Sequence, residues 1–366
     1  MRRLAAAACA LLAASCATGA RASLGPREVE TVASFADAGI AASGAKEPAA
    51  VRIAVARSAT VAKAPIRIAF GGDVHGEPPI RQLLERGENP LDGVRNAFAD
   101  ADIVMVNLET AVTTVGEALD HEFIFNAPPS LLTALAAGGV DVVNLGNNHS
   151  TDYGTSGLLD TIDRAHAAGL TVVGAGRNSD DTYTAEVIDV RGVRIGFLGF
   201  DRNLPFDAAL AGPTSPGQSD GRNAKFAADV VRKAREIADA VVVMVHAGVE
   251  RDNCPTASDK AFFDALLAAG ATIVVGNHPH VLQAVVARDG QLAMYSNGNF
   301  VFYPTTEDQR KTGVLTVGID RQGKVVGHDF SPAVIDAQGR PQLIGGAARD
   351  RALADLASLT PGEGRC

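Results

Sequence analysis

Short apolar runs alternate with amphipathic stretches along most of the chain, and this alternation restricts the fold more than any other feature. The runs are rich in Val and Ile, which favour β-strands. They lie at residues 66–70, 103–106, 140–145, 170–173, 193–198, 240–245, 272–275 and 292–295. Strands that alternate with helices usually form largely parallel sheets covered by helices, so the sequence predicts an α/β fold.

Helices are predicted between these runs, and the pattern changes near the C-terminus. Apolar side chains recur at helical spacing in residues 157–168, 224–238 and 258–269. From Gln309 onwards, apolar runs separated by glycine-containing turns predict β-hairpins. We expect residues 331–366 to form a polar C-terminal tail.

The first residues have the features of an export signal. Arg2 and Arg3 precede an uncharged apolar run at residues 4–14, which is too short to cross a membrane core of about 30 Å. Two candidate processing sites follow, and the sequence does not decide between them. Cys16 lies in a sequence that resembles a lipidation site, and residues 20–22 fit ordinary signal-peptide cleavage. We predict a signal peptide at residues 1–22, a tether with a short leading element at residues 23–64, and export to the periplasm or cell envelope.

Charge and cysteine content narrow the function classes. The chain has 42 acidic and 33 basic side chains, a net charge of -9, which argues against a nucleic-acid-binding protein because such proteins need a basic face. Cys9 and Cys16 lie in the export segment, so Cys254 and Cys366 remain for the mature chain. Thiols of exported proteins can pair, but the sequence leaves open whether these two do.

Polar clusters follow five of the predicted strands directly. In open α/β sheets, ligands bind at the carboxyl ends of strands, so side chains from these clusters are expected to meet. The clusters contain, in chain order, Asp73 with His75, then Glu109, Asn148 with His149, His246, and finally His278 with His280. Each cluster alone is compatible with a turn or a buried structural residue. Together, oxygen and imidazole donors without thiolates suit divalent transition metals.

Other kinds of site have less support. The sequence contains no phosphate-binding Gly-x-x-x-x-Gly-Lys-Ser/Thr motif, and no Gly-x-Gly-x-x-Gly motif follows the first strand. A metal site is therefore the leading interpretation of the clusters.

The order of these clusters resembles that of the calcineurin-like metallophosphoesterases. The strings FIFNAP at 123–128, GVDVVNLGNNHSTDYG at 139–154, GNHPHVLQ at 276–283 and YSNGNFVF at 295–302 are similar to the CapA branch, the poly-γ-glutamate capsule biosynthesis proteins. The resemblance covers residues 66–305. It implies a metallophosphoesterase-like four-layer α/β/β/α sandwich with two central mixed sheets, in a CapA-type domain at residues 65–330.

The resemblance also implies roles for individual residues. One metal ion would be held by Asp73, His75 and His280. Glu109 would bridge to a second metal ion, held by Asn148, His246 and His278. His149 would donate a proton to the leaving group. The implied cofactors are two divalent ions of Mn, Fe or Zn.

Two functions are consistent with these features. The first is an exported metal-dependent hydrolase that acts on a phosphoester or a cell-envelope polymer linkage. The alternative is a non-hydrolytic accessory protein of capsule or poly-γ-glutamate synthesis or export. The resemblance implies membrane proteins of capsule synthesis as partners, whereas the acidic net charge argues against nucleic acid. Lipidation at Cys16 would add a membrane anchor.

Overall fold

The computed structural model describes residues 64–120, 122–205, 209–303 and 306–360, together with Cys366. The predicted signal peptide, with Cys16, and residues 23–63 of the predicted tether lie outside these ranges. None of the helices in the described ranges is long and apolar enough to cross a membrane.

Strands and helices are numbered here in chain order within the described residues. The strands are β1 (Ile66–Val74), β2 (Ile103–Leu108), β3 (Val142–Asn144), β4 (Thr171–Val173), β5 (Ala175–Gly176), β6 (Glu186–Val190), β7 (Val193–Asp201), β8 (Gly217–Gln218), β9 (Ala240–His246), β10 (Ile273–Asn277), β11 (Val285–Arg288), β12 (Gln291–Met294), β13 (Asn299–Val301), β14 (Lys311–Ile319), β15 (Val325–Ile335) and β16 (Pro341–Leu343). The helices are α1 (Ile80–Glu85), α2 (Arg95–Phe98), α3 (Ser130–Ala137), α4 (Gly154–Ala167), α5 (Ser179–Tyr183), α6 (Ala224–Ile237), α7 (Ala257–Ala268), α8 (Glu307–Arg310) and α9 (Gly346–Ala357). Every predicted apolar run coincides with a strand, and the predicted helices coincide with α4, α6 and α7, so these predictions are confirmed.

Two mixed sheets form the centre of the fold. The first has eight strands in the order β16-β15-β14-β1-β2-β3-β4, with β13 paired to β1. Within it β1, β2, β3 and β4 are parallel, whereas β14 runs antiparallel to β1. The second sheet has the order β11-β12-β10-β9-β7-β6 and is parallel except at its two edge strands. Parallel neighbours bring the carboxyl ends of β1, β2 and β3 to one edge, and those of β7, β9 and β10 likewise.

The two sheets pack face to face and helices cover their outer faces. Ile68 and Phe70 of β1 share one buried core with Phe197 of β7, and this core also includes side chains of α6 and α7. Ala69 faces the opposite side, where a second core contains Leu131 of α3 and residues of α4. Burying each large apolar side chain contributes about 1.5–3 kcal/mol, so these interfaces hold the layers together. The predicted four-layer α/β/β/α sandwich with two mixed sheets is confirmed.

The C-terminal region is folded, which corrects the prediction of a polar tail at residues 331–366. Strand β15 continues to Ile335, β16 adds to the sheet edge, and α9 follows. Leu356 and Leu359 are buried against the core between the sheets. Cys366 forms a disulfide with Cys254, 112 residues earlier. Helix α9 looks polar in sequence because only a narrow side of it is covered by the rest of the fold. No local pattern predicts that Cys366 pairs with a cysteine so distant in the chain.

Candidate metal centre

Side chains from both sheets converge where the central strands end. Asp73 lies near the end of β1 and Glu109 directly follows β2, while His246 ends β9. All three are fully buried. His278 and His280 follow β10 and are almost as buried. Five predicted ligands thus occupy one buried place, although they come from strands far apart in sequence.

Two groups of donors share one carboxylate. The first group is Asp73, Glu109 and His280, and the second is Glu109, His246 and His278. In each group the donor atoms lie within 4.8 Å of one another. Glu109 belongs to both groups, which is the position that a bridging ligand requires.

Individual distances show how the donors face each other. In the first group, Oδ2 of Asp73 lies 3.2 Å from Nδ1 of His280, and Nε2 of His280 lies 3.8 Å from Oε1 of Glu109. In the second, Nε2 of His246 lies 3.3 Å from Oε1 of Glu109 and 3.1 Å from Nδ1 of His278. The amide oxygen Oδ1 of Asn148 lies 2.7 Å from the same Nε2, so the second group also contains the predicted Asn148.

The backbone around the histidine pair is strained. His278 has a φ of 98° and His280 a φ of 58°, both in the left-handed region that non-glycine residues rarely adopt. Each such residue costs of the order of 1–3 kcal/mol, and strain of this kind clusters at functional sites. The loop therefore holds two imidazoles toward the centre at a conformational cost.

Electrostatics favour a cation at this place. Burial, followed by the charge of Asp73, raises the pKa of Glu109 well above its ordinary value. Both carboxylate oxygens of Glu109 are buried and have no hydrogen-bond partner. Burial lowers the pKa of His246 to about 3 and that of His278 well below its ordinary value, so both imidazoles are neutral and offer lone pairs. Burial also disfavours the charged forms of Asp73 and His280, but their mutual contact outweighs it, lowering the pKa of Asp73 and raising that of His280.

These residues fit a divalent cation by their chemistry. Carboxylate oxygens and neutral imidazoles are the mixed donors that Zn²⁺ and Mn²⁺ accept. A buried carboxylate without partners is costly, and a cation would supply the missing charge. Glu109 is the clearest sign of this requirement, since its Oε1 faces a histidine ring nitrogen from each of the two groups.

His149 lies beside the centre with a carboxylate behind it. Its Nδ1 is 2.8 Å from Oδ2 of Asp152, which also accepts a hydrogen bond of 2.7 Å from the amide of Phe125. The ring centroids of His149 and Phe125 are 4.1 Å apart. Asp152 was missed at the sequence level, although its position three residues after His149 was a usable signal.

His75 lies outside both donor groups, so its predicted role as a ligand stays a prediction. Its Nδ1 is 2.9 Å from the amide nitrogen of Glu77, and its Nε2 is 3.1 Å from that of Tyr303. The ring is stacked on Phe125, with centroids 5.0 Å apart, and meets Phe302 edge-on at 3.9 Å. Since a neutral imidazole carries a proton on one ring nitrogen, only one of these two contacts is an accepted hydrogen bond. His75 forms part of an aromatic wall.

Buried amides and one carboxyl group beneath the centre were also missed. Asn107, Asn144 and Asn147 are fully buried, and their side chains are joined by hydrogen bonds. Asp201 ends β7 opposite His246, and burial raises its pKa to about 8. Polar residues at predicted strand ends were the available signal, but asparagine is common in turns and therefore weak evidence.

Comparison with known families places the chain in a class. The family described as bacterial capsule synthesis protein PGA_cap matches residues 67–304. The matched region includes both donor groups and His149. The chain belongs to this family of bacterial capsule synthesis proteins, and the resemblance to the CapA branch is confirmed.

Named relatives are similar over part of their length. The PGA biosynthesis protein CapA of Bacillus subtilis is 31% identical over 259 residues, which are 69% of this chain and 68% of that protein. The capsule biosynthesis protein CapA of Bacillus anthracis is 38% identical over 190 residues, which are 50% of this chain and only 45% of that protein. Among solved structures, a phosphatase from Mycoplasma pneumoniae is 16% identical, with a TM-score of 0.49 over 74% of this chain and 94% of that one.

Proposed function

We propose that the protein is an exported metal-dependent hydrolase that cleaves a phosphoester or a cell-envelope polymer linkage at a site for two divalent cations. The observation that carries this proposal is Glu109. Its carboxylate is fully buried, both oxygens lack hydrogen-bond partners, and it belongs to both donor groups. A structural carboxylate would be expected to have partners, because an unpaired buried polar group costs about 1–3 kcal/mol.

Two sets of residues would hold the cations. One cation would be bound by Asp73 and His280, and the other by Asn148, His246 and His278. Glu109 would bind both cations. When bound, a pair of divalent cations supplies Lewis acidity that neutralises a phosphoryl group and activates water near neutral pH. Neutral imidazoles suit this role because their lone pairs are available, and burial keeps His246 and His278 neutral.

His149 would act as the general acid. Asp152 holds Nδ1 through the 2.8 Å contact, so Nε2 is the nitrogen left to exchange a proton with the substrate. Packing against Phe125 fixes the plane of the ring. A positioned histidine of this kind typically contributes about 10²–10⁴-fold to the rate.

Export is supported by two independent features. The N-terminal sequence has a charged start and a short apolar run, which is typical of a signal peptide. Cys254 and Cys366 form a disulfide, and such bonds persist mainly in oxidising compartments. The periplasm or cell envelope is therefore the proposed location, and Cys16 is the proposed point of lipid attachment.

An accessory role in capsule or poly-γ-glutamate synthesis is the alternative. The relatives are named for biosynthesis and not for hydrolysis, which favours this reading. In that case the cations would serve binding or structure, and membrane proteins of capsule synthesis would be partners. Both roles predict bound metal, so metal content alone does not distinguish them.

Turnover separates the two functions. The mature protein, purified without chelator, should contain two divalent ions per chain by elemental analysis. It should then hydrolyse members of a panel of phosphomonoesters and phosphodiesters with added Mn²⁺, and His149→Ala should lose turnover while keeping metal. Two bound ions without turnover of any member would favour the accessory role. No bound metal, with none recovered on adding Mn²⁺ or Zn²⁺, would contradict the two-cation site.

A further inference from the structure

A row of buried side chains crosses three parallel strands beneath the two donor groups. Asp73 of β1 lies opposite Asn107 of β2 in the sheet register, and Asn107 lies opposite Asn144 of β3. All three are fully buried. Residues directly opposite each other in neighbouring strands project to the same face, so the register alone brings these polar side chains into contact.

Asn107 uses both ends of its amide. Its Nδ2 donates a hydrogen bond of 2.8 Å to Oδ1 of Asp73 and lies 3.2 Å from Nδ1 of His246. Its Oδ1 accepts hydrogen bonds from Nδ2 of Asn144 at 2.8 Å and from Nδ2 of Asn147 at 3.2 Å. Asn107 therefore holds Asp73 of the first group by a hydrogen bond. Its contact with His246 is not a hydrogen bond when Nε2 of His246 binds a cation, because Nδ1 then carries the ring proton and faces a second donor.

The fold fixes the orientation of this amide. Nδ2 of Asn144 also donates to the carbonyl of Gly146, and Oδ1 of Asn144 accepts from the amide of the same residue. These two bonds determine which end of Asn144 faces Asn107. A Cβ atom at Gly199 would lie 1.9 Å from Oδ1 of Asn144, so the side chain fills a slot that only glycine leaves open.

The row also reaches the turn that carries Asn148 and His149. Asn147 donates to Oδ1 of Asn107 and to the carbonyl of Leu108 at 2.9 Å, and its own Oδ1 accepts from the amide of His149 at 3.2 Å. Through Asn147, Asn107 is linked to the residues that would complete the second donor group and donate the proton.

We infer that Asn107 is a positioning residue that holds Asp73 of the first group directly and, through Asn147, the turn that carries Asn148 of the second, so that its loss weakens binding of the two cations together. The inference rests on the proposed two-cation site. Residues that orient metal ligands typically change metal affinity by about 10- to 100-fold when mutated. Asn148 contacts only the second group, so its loss should weaken one cation and spare the other.

Calorimetric titration of chelator-treated mature protein with Mn²⁺ tests this inference. Wild type should bind two ions. Asn107→Ala should raise both dissociation constants by about 10-fold or more, and Asn148→Ala should raise only one. Electron paramagnetic resonance should show the coupled spectrum of a Mn²⁺ pair in wild type, and the spectrum of Asn107→Ala at the same Mn²⁺ concentration should lose it.

Asn297→Ala is the matched control. Asn297 is also a buried asparagine, but among the described residues its side chain donates its hydrogen bond to the carbonyl of Phe70 and not to a member of either group. Its substitution should lower thermal stability while leaving both dissociation constants within about twofold of wild type. Asn107→Leu, which fills the lost volume, provides a second variant in case Asn107→Ala does not fold.

Each result of these titrations has one interpretation. Unchanged affinities in Asn107→Ala, or weakening of one cation alone, would overturn the inference while leaving the proposed function intact. If neither Asn107 variant folds, even in buffer that contains Mn²⁺ and no chelator, the inference would also be overturned. Asn107 would then be required for folding itself. Absence of cation binding in wild type would remove the proposed two-cation site itself.

Discussion

Nδ1 of His149 lies 2.8 Å from Oδ2 of Asp152, and both side chains are buried. The same carboxylate oxygen accepts the amide N–H of Phe125, whose ring packs on His149. The imidazole is thus held at one nitrogen and on one face, which leaves its other nitrogen for chemistry.

His149→Gln is expected to lower kcat by roughly 10²–10⁴-fold while both cations stay bound, because the lost function is proton donation. The loss should be smaller for nitrophenyl esters, whose leaving groups need little protonation. Asp152→Asn should show the same dependence on the leaving group with a smaller loss. Rates for esters of graded leaving-group pKa, with metal content measured in parallel, check this. Equal losses for good and poor leaving groups would mean that His149 binds metal or only positions the substrate.

Glu109→Gln should change stability in opposite directions with and without cations. In chelator near neutral pH, the variant should unfold at a temperature higher by at least about 2 °C, since burial raises the pKa of Glu109 and wild type must take up a proton there on folding, a cost that Gln lacks. With Mn²⁺, wild type should be the more stable, because the carboxylate binds both ions. Thermal unfolding in the two buffers measures this. The exposed Glu307→Gln is the control and should show no difference, and the same order in both buffers for Glu109→Gln would contradict a bridging role.

His75→Gln should keep both cations, whereas His280→Gln should lose one. The reason is that both ring nitrogens of His75 face backbone amides, while His280 faces Asp73 and Glu109. Elemental analysis of the two purified variants gives the answer directly. A loss of one ion in His75→Gln would confirm the ligand role that the family resemblance implied.

Removal of the Cys254–Cys366 disulfide should lower the free energy of unfolding by about 2–5 kcal/mol, because the bond closes a loop of 112 residues and restricts the unfolded chain. Urea unfolding with and without reductant measures the change. The Cys254→Ser/Cys366→Ser double variant should respond to reductant no further. Two titratable thiols in the native, oxidised protein would contradict the pairing.

The mature protein is expected outside the cytoplasm, since the charged start, the apolar run at residues 4–14 and the small residues after it occur together. Cell fractionation with mass analysis of the N-terminus tests this, and an uncleaved chain in the cytoplasm would refute it. Labelling with a palmitate analogue decides the form: incorporation that Cys16→Ser abolishes indicates a lipoprotein, and no incorporation indicates cleavage alone.

Most of the fold could be predicted from the sequence because strand and helix periodicity is local. The apolar runs define β1 to β4, β7, β9, β10 and β12 without reference to distant residues. The C-terminal region was the exception. Helix α9 buries few side chains, and its attachment depends on contacts with β15 and on a disulfide partner far away in the chain.

The candidate site was only partly predictable, for a related reason. Donor types and their positions at strand ends are visible in the sequence, and they indicated Asp73, Glu109 and the histidines. Which donors face one another depends on the register between strands, and on the left-handed backbone at His278 and His280. His75 follows the same strand as Asp73, yet its ring packs among aromatic side chains and lies outside both donor groups.

The sequence by itself determined the strands, the helices between them and the kinds of donor at the strand ends, because each of these is encoded by neighbouring residues. Only the tertiary structure decided that Glu109 joins two donor groups, that Asp152 holds His149, and that Asn107 is linked to both groups. These relationships connect residues from 3 positions apart, as in His149 and Asp152, to 171 positions apart, as in Glu109 and His280. They arise from strand pairing and close packing of the two sheets, which no local pattern specifies.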